Sequence, residues 1–459
     1  MFKITRREFA SIPVAGAATP AEPWNLLLIT CDQWRADCLG AYGNRVIRTP
    51  RLDQLAREGV LFESHYVQCP QCVPSRAAIH TGRYPHVNRT PSNLYRLPDS
   101  EQTLAMILNQ QGYLTAAVGE MPFAPTQFRG GFQQIYASDG DYREFLRRNR
   151  WQAKATEHRE RLKTGFQAHP APWPELYDET VFYAEQAIAF LRANAGRPFF
   201  LHVNFRRPHH PFDPPAPFDR LYLGSSFPPS PRREGEMLRK PPGQTKALEN
   251  TAGFDLRRMT AEDLERIKAF YYGMISLNDK YIGRLLDALD ELGLASRTIV
   301  VVTSDHGEML GDHGLLFKGG YFYEGVVRVP LIIRAPGKLA SGQRISRLTE
   351  AVDLLPTLLR LLDLRPPGRV QGRDLFQGQP RSAVFSEFPN IKMVRTKDWK
   401  LVHYLRAPYG ELYDLRNDPN ELDNLYADAG YVKTRDEMRS LLVDWLIESE
   451  DPALPPIKA

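Results

Sequence analysis

Two short apolar runs constrain this chain more than any other feature: NLLLIT at residues 25–30 and TIVVVTS at residues 298–304. Each ends on polar residues and then delivers chemically versatile side chains, Asp32 after the first and Asp305 with His306 after the second. Unbroken Leu, Ile and Val runs of this length suit strands buried on both faces of a parallel sheet, which have no polar face to show. Ligand sites of open α/β sheets lie beyond the carboxyl ends of their strands, so two acidic residues placed this way are expected to converge.

Further strands are expected at 114–118 and 199–205. Between them lie helical patterns at 50–57 with Thr49 as cap, 103–111 stopped by Gly112, 180–193, and 261–292. This alternation gives the fold class: α/β, a large doubly wound mixed sheet flanked by helices on both faces. At 459 residues the chain exceeds the size at which one hydrophobic core stops growing, so a smaller appended unit is expected. After Pro336-Gly337 the pattern changes to an amphipathic helix at 352–364, short strands at 383–388, 393–396, 401–405 and 411–415, and a closing helix at 431–449. The expected division is a main α/β domain at 23–365 and a C-terminal α+β subdomain with an antiparallel sheet at 366–459. Residues 206–253, rich in Pro, Gly and Arg, are expected to form a long ordered loop or insertion over one face, of the kind that shapes a substrate pocket. The basic stretch 142–163 (REFLRRNR, EHRERLK) reads as a solvated helix face or as a contact for a polyanion.

A formal net charge of +5 is small for this length and does not point to nucleic acid as a partner. No apolar run reaches the 18 or so residues of a membrane span. Within residues 1–22, Thr5-Arg6-Arg7-Glu8-Phe9 followed by a short small-residue stretch looks like a twin-arginine export signal, implying a periplasmic or exported protein. A basic tail on a cytoplasmic protein is the alternative. Cys31, Cys38, Cys69 and Cys72 all fall early in the chain and make no disulfide framework. The CxxC pair formed by Cys69 and Cys72 lacks the second pair that a four-ligand zinc site needs.

A lone cysteine usually reads as a small buried apolar residue. Cys72, however, opens CVPSRAAIHTGRYP (72–85), which resembles the signature by which sulfatases mark a cysteine for conversion to formylglycine. Six other tracts extend the likeness: DQWRADCLGAYG (32–43), GYLTAAVG (112–119), PFFLHVNFRRPHHPF (198–212), SDHGEMLGDHGLLFKG (304–319), RVPLIIRAPG (328–337) and GELYDLRNDPNELDNL (410–425). Together they resemble the sulfatase family of the alkaline-phosphatase superfamily, which implies an alkaline-phosphatase-like fold and hydrolysis of a sulfate monoester on a small molecule or glycan.

By this resemblance Cys72, converted by a formylglycine-generating enzyme, is the nucleophile. Its hydrated aldehyde attacks sulfur or phosphorus with one hydroxyl, and the other later collapses to expel the bound oxyanion. Asp32, Gln33, Asp305 and His306 complete a metal shell with Cys72. Its mostly oxygen donors suit Ca²⁺ first, with Mg²⁺ or Mn²⁺ also possible. Arg76, on a helix expected to open at Ser75, holds the transferred group, as does Lys318. His209, with His210 as its neighbour, is the general acid. Asn88 is a further substrate contact by likeness to phosphonate monoester and phosphodiester hydrolases. Where many sulfatases read Gly-Lys-x-His, this chain reads Gly119-Glu120-Met121-Pro122. That departure leaves two alternatives open: a phosphonate monoester or phosphodiester hydrolase, and a noncatalytic anion-binding protein.

Overall fold

The strand Asn25–Cys31 runs through the middle of the molecule, and all seven of its residues are buried. In the computed structural model, which describes residues 23–123 and 128–450, it pairs in parallel with Phe199–Phe205 on one side and Thr298–Ser304 on the other. The export motif lies outside the described residues. Leu114–Gly119 and Gln134–Ala137 extend the parallel run, whereas Leu331–Arg334 joins Thr298–Ser304 in the opposite direction. Val60–Phe62 and the edge strand Gln343–Ile345 complete an eight-stranded mixed sheet.

Strand alternation sorts the core into two layers. Leu27, Ile29, Val300 and Val302 face the layer of helices Pro50–Glu58, Glu179–Asn194 and Ala261–Glu291. Leu26, Leu28, Ile299 and Val301 face Cys72–Thr81, Leu104–Gln110 and Leu354–Leu361. The expected α/β class with helices on both faces is what the structure shows. At the C-terminal end, Ala383–Phe388, Ile391–Thr396, Trp399–Tyr404 and Gly410–Asp414 form an antiparallel meander. Helix Val432–Glu448 covers it through Met438, Leu442 and Trp445. Buried Lys400 links this sheet to the larger one, reaching Glu324 at 2.9 Å, Glu421, and the Phe322 carbonyl at 2.9 Å.

Three local expectations need correction. The helix carrying Arg76 opens at Cys72, not Ser75: Gln71 is extended, and Pro74 is tolerated in the first turn, where its missing N–H breaks no helical bond. Residues 206–253 are not a plain loop, since they contain a short 3₁₀ turn at Glu236–Arg239 and a helix at Pro242–Glu249. The basic stretch is two helices, Asp139–Arg148 and Gln152–Arg161, broken near Arg150, whose φ is positive. Among the described residues no helix is long and apolar enough to cross a membrane.

Candidate active site

The strand ends deliver their side chains to one place. Asp32, Cys72, Asp305 and His306 each offer one donor atom, all within 4.8 Å of one another, and all four residues are buried. Cys72 Sγ lies 3.2 Å from His306 Nε2 and 3.9 Å from Asp32 Oδ1. His306 Nδ1 donates to the Gly307 carbonyl at 2.9 Å, which leaves Nε2 of the neutral ring with its lone pair toward the cluster. Burial and Lys318 lower the His306 pKa, favouring that neutral form. Asp32 Oδ1 sits 3.4 Å from this nitrogen, so one acceptor faces another, as a cation between them would require.

Charge points the same way. Arg76 Nε donates to Asp305 at 2.7 Å, Nη2 to Asp32 and to Glu120 at 3.2 Å, and Nη1 to the Met121 carbonyl at 3.3 Å. These bonds use four of the five guanidinium hydrogens. Lys318 is 3.8 Å from Asp32 and donates to Gln33 Oε1 at 2.9 Å. Three carboxylates, buried Asp32 and Asp305 and partly exposed Glu120, therefore meet two cations, leaving one negative charge in excess. Carboxylate oxygens with one imidazole and the position 72 side chain fit a divalent cation. Burial alone would raise the Asp32 pKa, but Lys318, His209 and Arg76 hold it well below the ordinary carboxylate range. Burial and Asp32 push the Cys72 thiol up, so as a thiol it is protonated and a poor nucleophile.

The remaining expected residues divide. Gln33 stands beside the cluster: its backbone N–H donates to Asp305 at 3.2 Å, and its side chain is held by Lys318, Glu308 and His210. His209 donates from Nδ1 to the His210 carbonyl, so Nε2 of the neutral ring is bare. Burial and Lys318 keep its pKa well below the usual histidine value. The structure gives Asn88 another place. It is fully buried, with Nδ2 donating to the Arg83 carbonyl at 3.1 Å and Oδ1 accepting from Thr90 at 3.0 Å. Both ends of its side-chain amide hydrogen-bond within that turn. Glu120 does not turn away. Gly119, at φ +101°, lies so close to the Asn204 carbonyl that a Cβ would be 2.1 Å from its oxygen, and this tight strand end aims the Glu120 carboxylate at Arg76.

Sequence reasoning missed Glu308. It is fully buried, its carboxyl is pushed up to about 7 by burial, and it accepts from Gln33, from Phe317 N–H and from Leu310 N–H at 3.0 Å. The available signal was a glutamate inside the otherwise Gly- and apolar-rich run that follows Asp305-His306. Asp312 and His313, which had no expected role, pair with Arg35 at 2.7 Å and Glu236 at 2.9 Å.

A cysteine at a helix start, ringed by acidic strand ends of an α/β sheet, is an arrangement that suits a hydrolase of the alkaline-phosphatase type. The family description Sulfatase matches residues 24–364, and the chain belongs to the sulfatase family. A second description, N-sulphoglucosamine sulphohydrolase, C-terminal, matches residues 311–447. Among relatives, an arylsulfatase of Clostridium perfringens is 32% identical, with 93% of this chain and 95% of that one covered. The multifunctional alkaline phosphatase superfamily protein PehA of Trinickia caryophylli is 28% identical, with 94% and 96% covered. Among solved structures, a phosphonate monoester hydrolase of Agrobacterium radiobacter superposes with a TM-score of 0.83 at 31% identity, covering 94% of this chain and 97% of that one.

Proposed function

We propose that the protein hydrolyses sulfate monoesters through a formylglycine made from Cys72, with a divalent metal, Ca²⁺ first, held by Asp32, Gln33, Asp305, His306 and the position 72 side chain. The observation that carries this reading is the placement of Cys72 at the first position of its helix, with Sγ inside the ring of Asp32, Asp305 and His306. The bound metal would supply Lewis acidity toward an ester oxygen and favour an ionised diol. The chain supplies the rest. The helix N-terminus adds partial positive charge where the transferred group would sit, and Lys318, 3.8 Å from Asp32, supplies a full charge. Arg76 contributes field and fixes both aspartates, with one Nη1 hydrogen left for substrate. His209, to protonate the leaving oxygen, must first take up a proton at Nε2, because Nδ1–H is committed to His210.

Glu120 favours a second reading, a phosphonate monoester or phosphodiester hydrolase, because its carboxylate occupies an Arg76 hydrogen that a sulfate would otherwise share. The likeness to the phosphonate monoester hydrolase supports the same alternative. The deciding experiment compares an aryl sulfate, an aryl phosphodiester and an aryl phosphonate, using protein co-produced with a formylglycine-generating enzyme and loaded with Ca²⁺ or Mn²⁺. Peptide mass establishes conversion at position 72. Sulfate release that leads the other two supports the first reading. Faster phosphorus esters move the assignment to the second, and silence from converted, metal-loaded protein sinks both.

A further inference from the structure

Past His209 a cavity of about 700 Å³ is walled by the two basic helices, by residues 206–213 and by residues 252–254. Its charges are unevenly spent. Arg207 is consumed by Asp178 at 2.7 Å and Asp213 at 2.6 Å, and Lys163 by Glu160 at 2.6 Å. Arg143, Arg159 and Arg206 line the same cavity without an ion pair within 4.0 Å among the described residues. Opposite them stand Asp139, which accepts from Tyr183 at 2.7 Å, and Glu179. Burial pushes the Glu179 carboxyl up to about 7, so it cancels only part of a charge near neutral pH. The wall also carries aromatic side chains. Tyr142 and Trp173 line it, and buried Trp173 Nε1 and His158 Nδ1 have no protein partner.

We infer that this cavity seats the leaving alcohol, and that it selects a hydroxylated ring carrying an acid group of its own, gripped by Arg143 and Arg159. The inference rests on the hydrolase reading of the neighbouring site. Aromatic side chains in the wall suit a sugar ring, and unpaired guanidinium groups suit a carboxylate or second sulfate. Both arginines are exposed at the rim, so replacing them leaves the core and the reacting residues intact.

The test uses converted, metal-loaded enzyme with a sulfated methyl uronoside and the matching uronamide, which differ only in the extra charge. The wild type should prefer the uronate about tenfold or more in kcat/KM. In Arg143→Gln/Arg159→Gln that preference should fall to about one, with uronamide turnover changed less than about twofold. Equal use of the two by the wild type, a preference retained in the double variant, or refusal of both by an enzyme that cleaves a plain aryl sulfate overturns the inference. Titration calorimetry of the unsulfated uronoside against protein that keeps its Cys72 thiol reads the cavity without turnover. Uronate bound no better than uronamide overturns the inference even where every ester is inert, whereas preferential uronate binding beside inert esters upholds it and places the failure in the hydrolase reading.

Discussion

Two buried guanidinium or ammonium groups, Arg76 and Lys400, solve the same problem for different ends. Lys400 is 1% exposed and Arg76 2%, and each is held by carboxylates. Around Lys400, Glu324 and Glu421 meet the buried ammonium with two carboxylates, while Arg328 at 3.4 Å and Arg395 at 3.7 Å approach Glu324 from partly exposed positions where solvent screens the surplus positive charge. Around Arg76 the balance is reversed: Asp32, Asp305 and Glu120 exceed Arg76 and Lys318, and the His306 lone pair points into the same space. Buried charge that is closed on itself is architecture, because no unmet demand remains. Left open in one direction, it is a site, and the sign of the imbalance says what it takes.

The strongest way to break this comparison is at position 72. Cys72→Ala should lower turnover by about 10⁴-fold or more, as expected when a covalent nucleophile is removed, and should leave thermal unfolding close to wild type. Lys400→Met should do the opposite, destabilising the fold while the folded fraction keeps its kcat. Removing one partner of a buried pair costs about 3–5 kcal/mol, so Arg76→Met and Lys400→Met should both unfold at clearly lower urea concentration. Only the Arg76 variant should regain stability with added Ca²⁺ or Mn²⁺, because only there does the loss leave carboxylates facing a cation site. Equal rescue of both would erase the distinction. In the wild type, chelation should reduce stability, by about 2.7 kcal/mol relative to metal at 100 times its Kd. Asp305→Asn should blunt that response.

How much of this was legible in the sequence follows from where the information sits. The strand runs ending at Asp32 and Asp305 announced themselves because burial on both faces leaves no polar residue to blur the pattern. The convergence of Asp32, Asp305 and His306 on Cys72 follows from those strand ends and the Cys72 tract. The short strands Val60–Phe62 and Gln343–Ile345 were not legible, since three residues carry too little periodicity, and their pairing depends on Leu331–Arg334 reversing the sheet. The helix start at Cys72 was obscured by Pro74, which reads as a stop yet is harmless in a first turn. Glu120 and Glu308 were visible as letters, but their aim was not. A tight glycine at a strand end directs the first, and the backbone N–H groups of neighbouring Leu310 and of Phe317, farther along the loop, hold the second.

His209 sharpens the comparison at the leaving-group side. Burial and Lys318 depress its pKa, so the imidazolium grows more abundant as pH falls toward that lowered value. With an alkyl ester, whose leaving oxygen needs a proton, kcat/KM of the wild type should rise as pH is lowered from about 8 to 6. His209→Ala should flatten that rise and cost about 10²-fold, with a much smaller loss on a nitrophenyl ester, whose leaving group needs no acid. Equal losses on both esters would mean that His209 acts in binding alone.

Glu120→Gln carries the smallest expected effect and probes the imbalance most directly. The amide keeps the size of the side chain and can still accept from Arg76, but it removes one of the three negative charges. Less repulsion should strengthen binding of inorganic sulfate and phosphate about tenfold, read as tighter product inhibition. The dianion should gain more than the monoanion, because the removed charge repels it twice as strongly. The same change weakens the excess that suits a cation, so the metal requirement should shift to higher concentration. Tighter anion binding together with weaker metal binding would place Glu120 among the charges that set the balance around Arg76. A variant that changes neither would assign it to packing at the strand end.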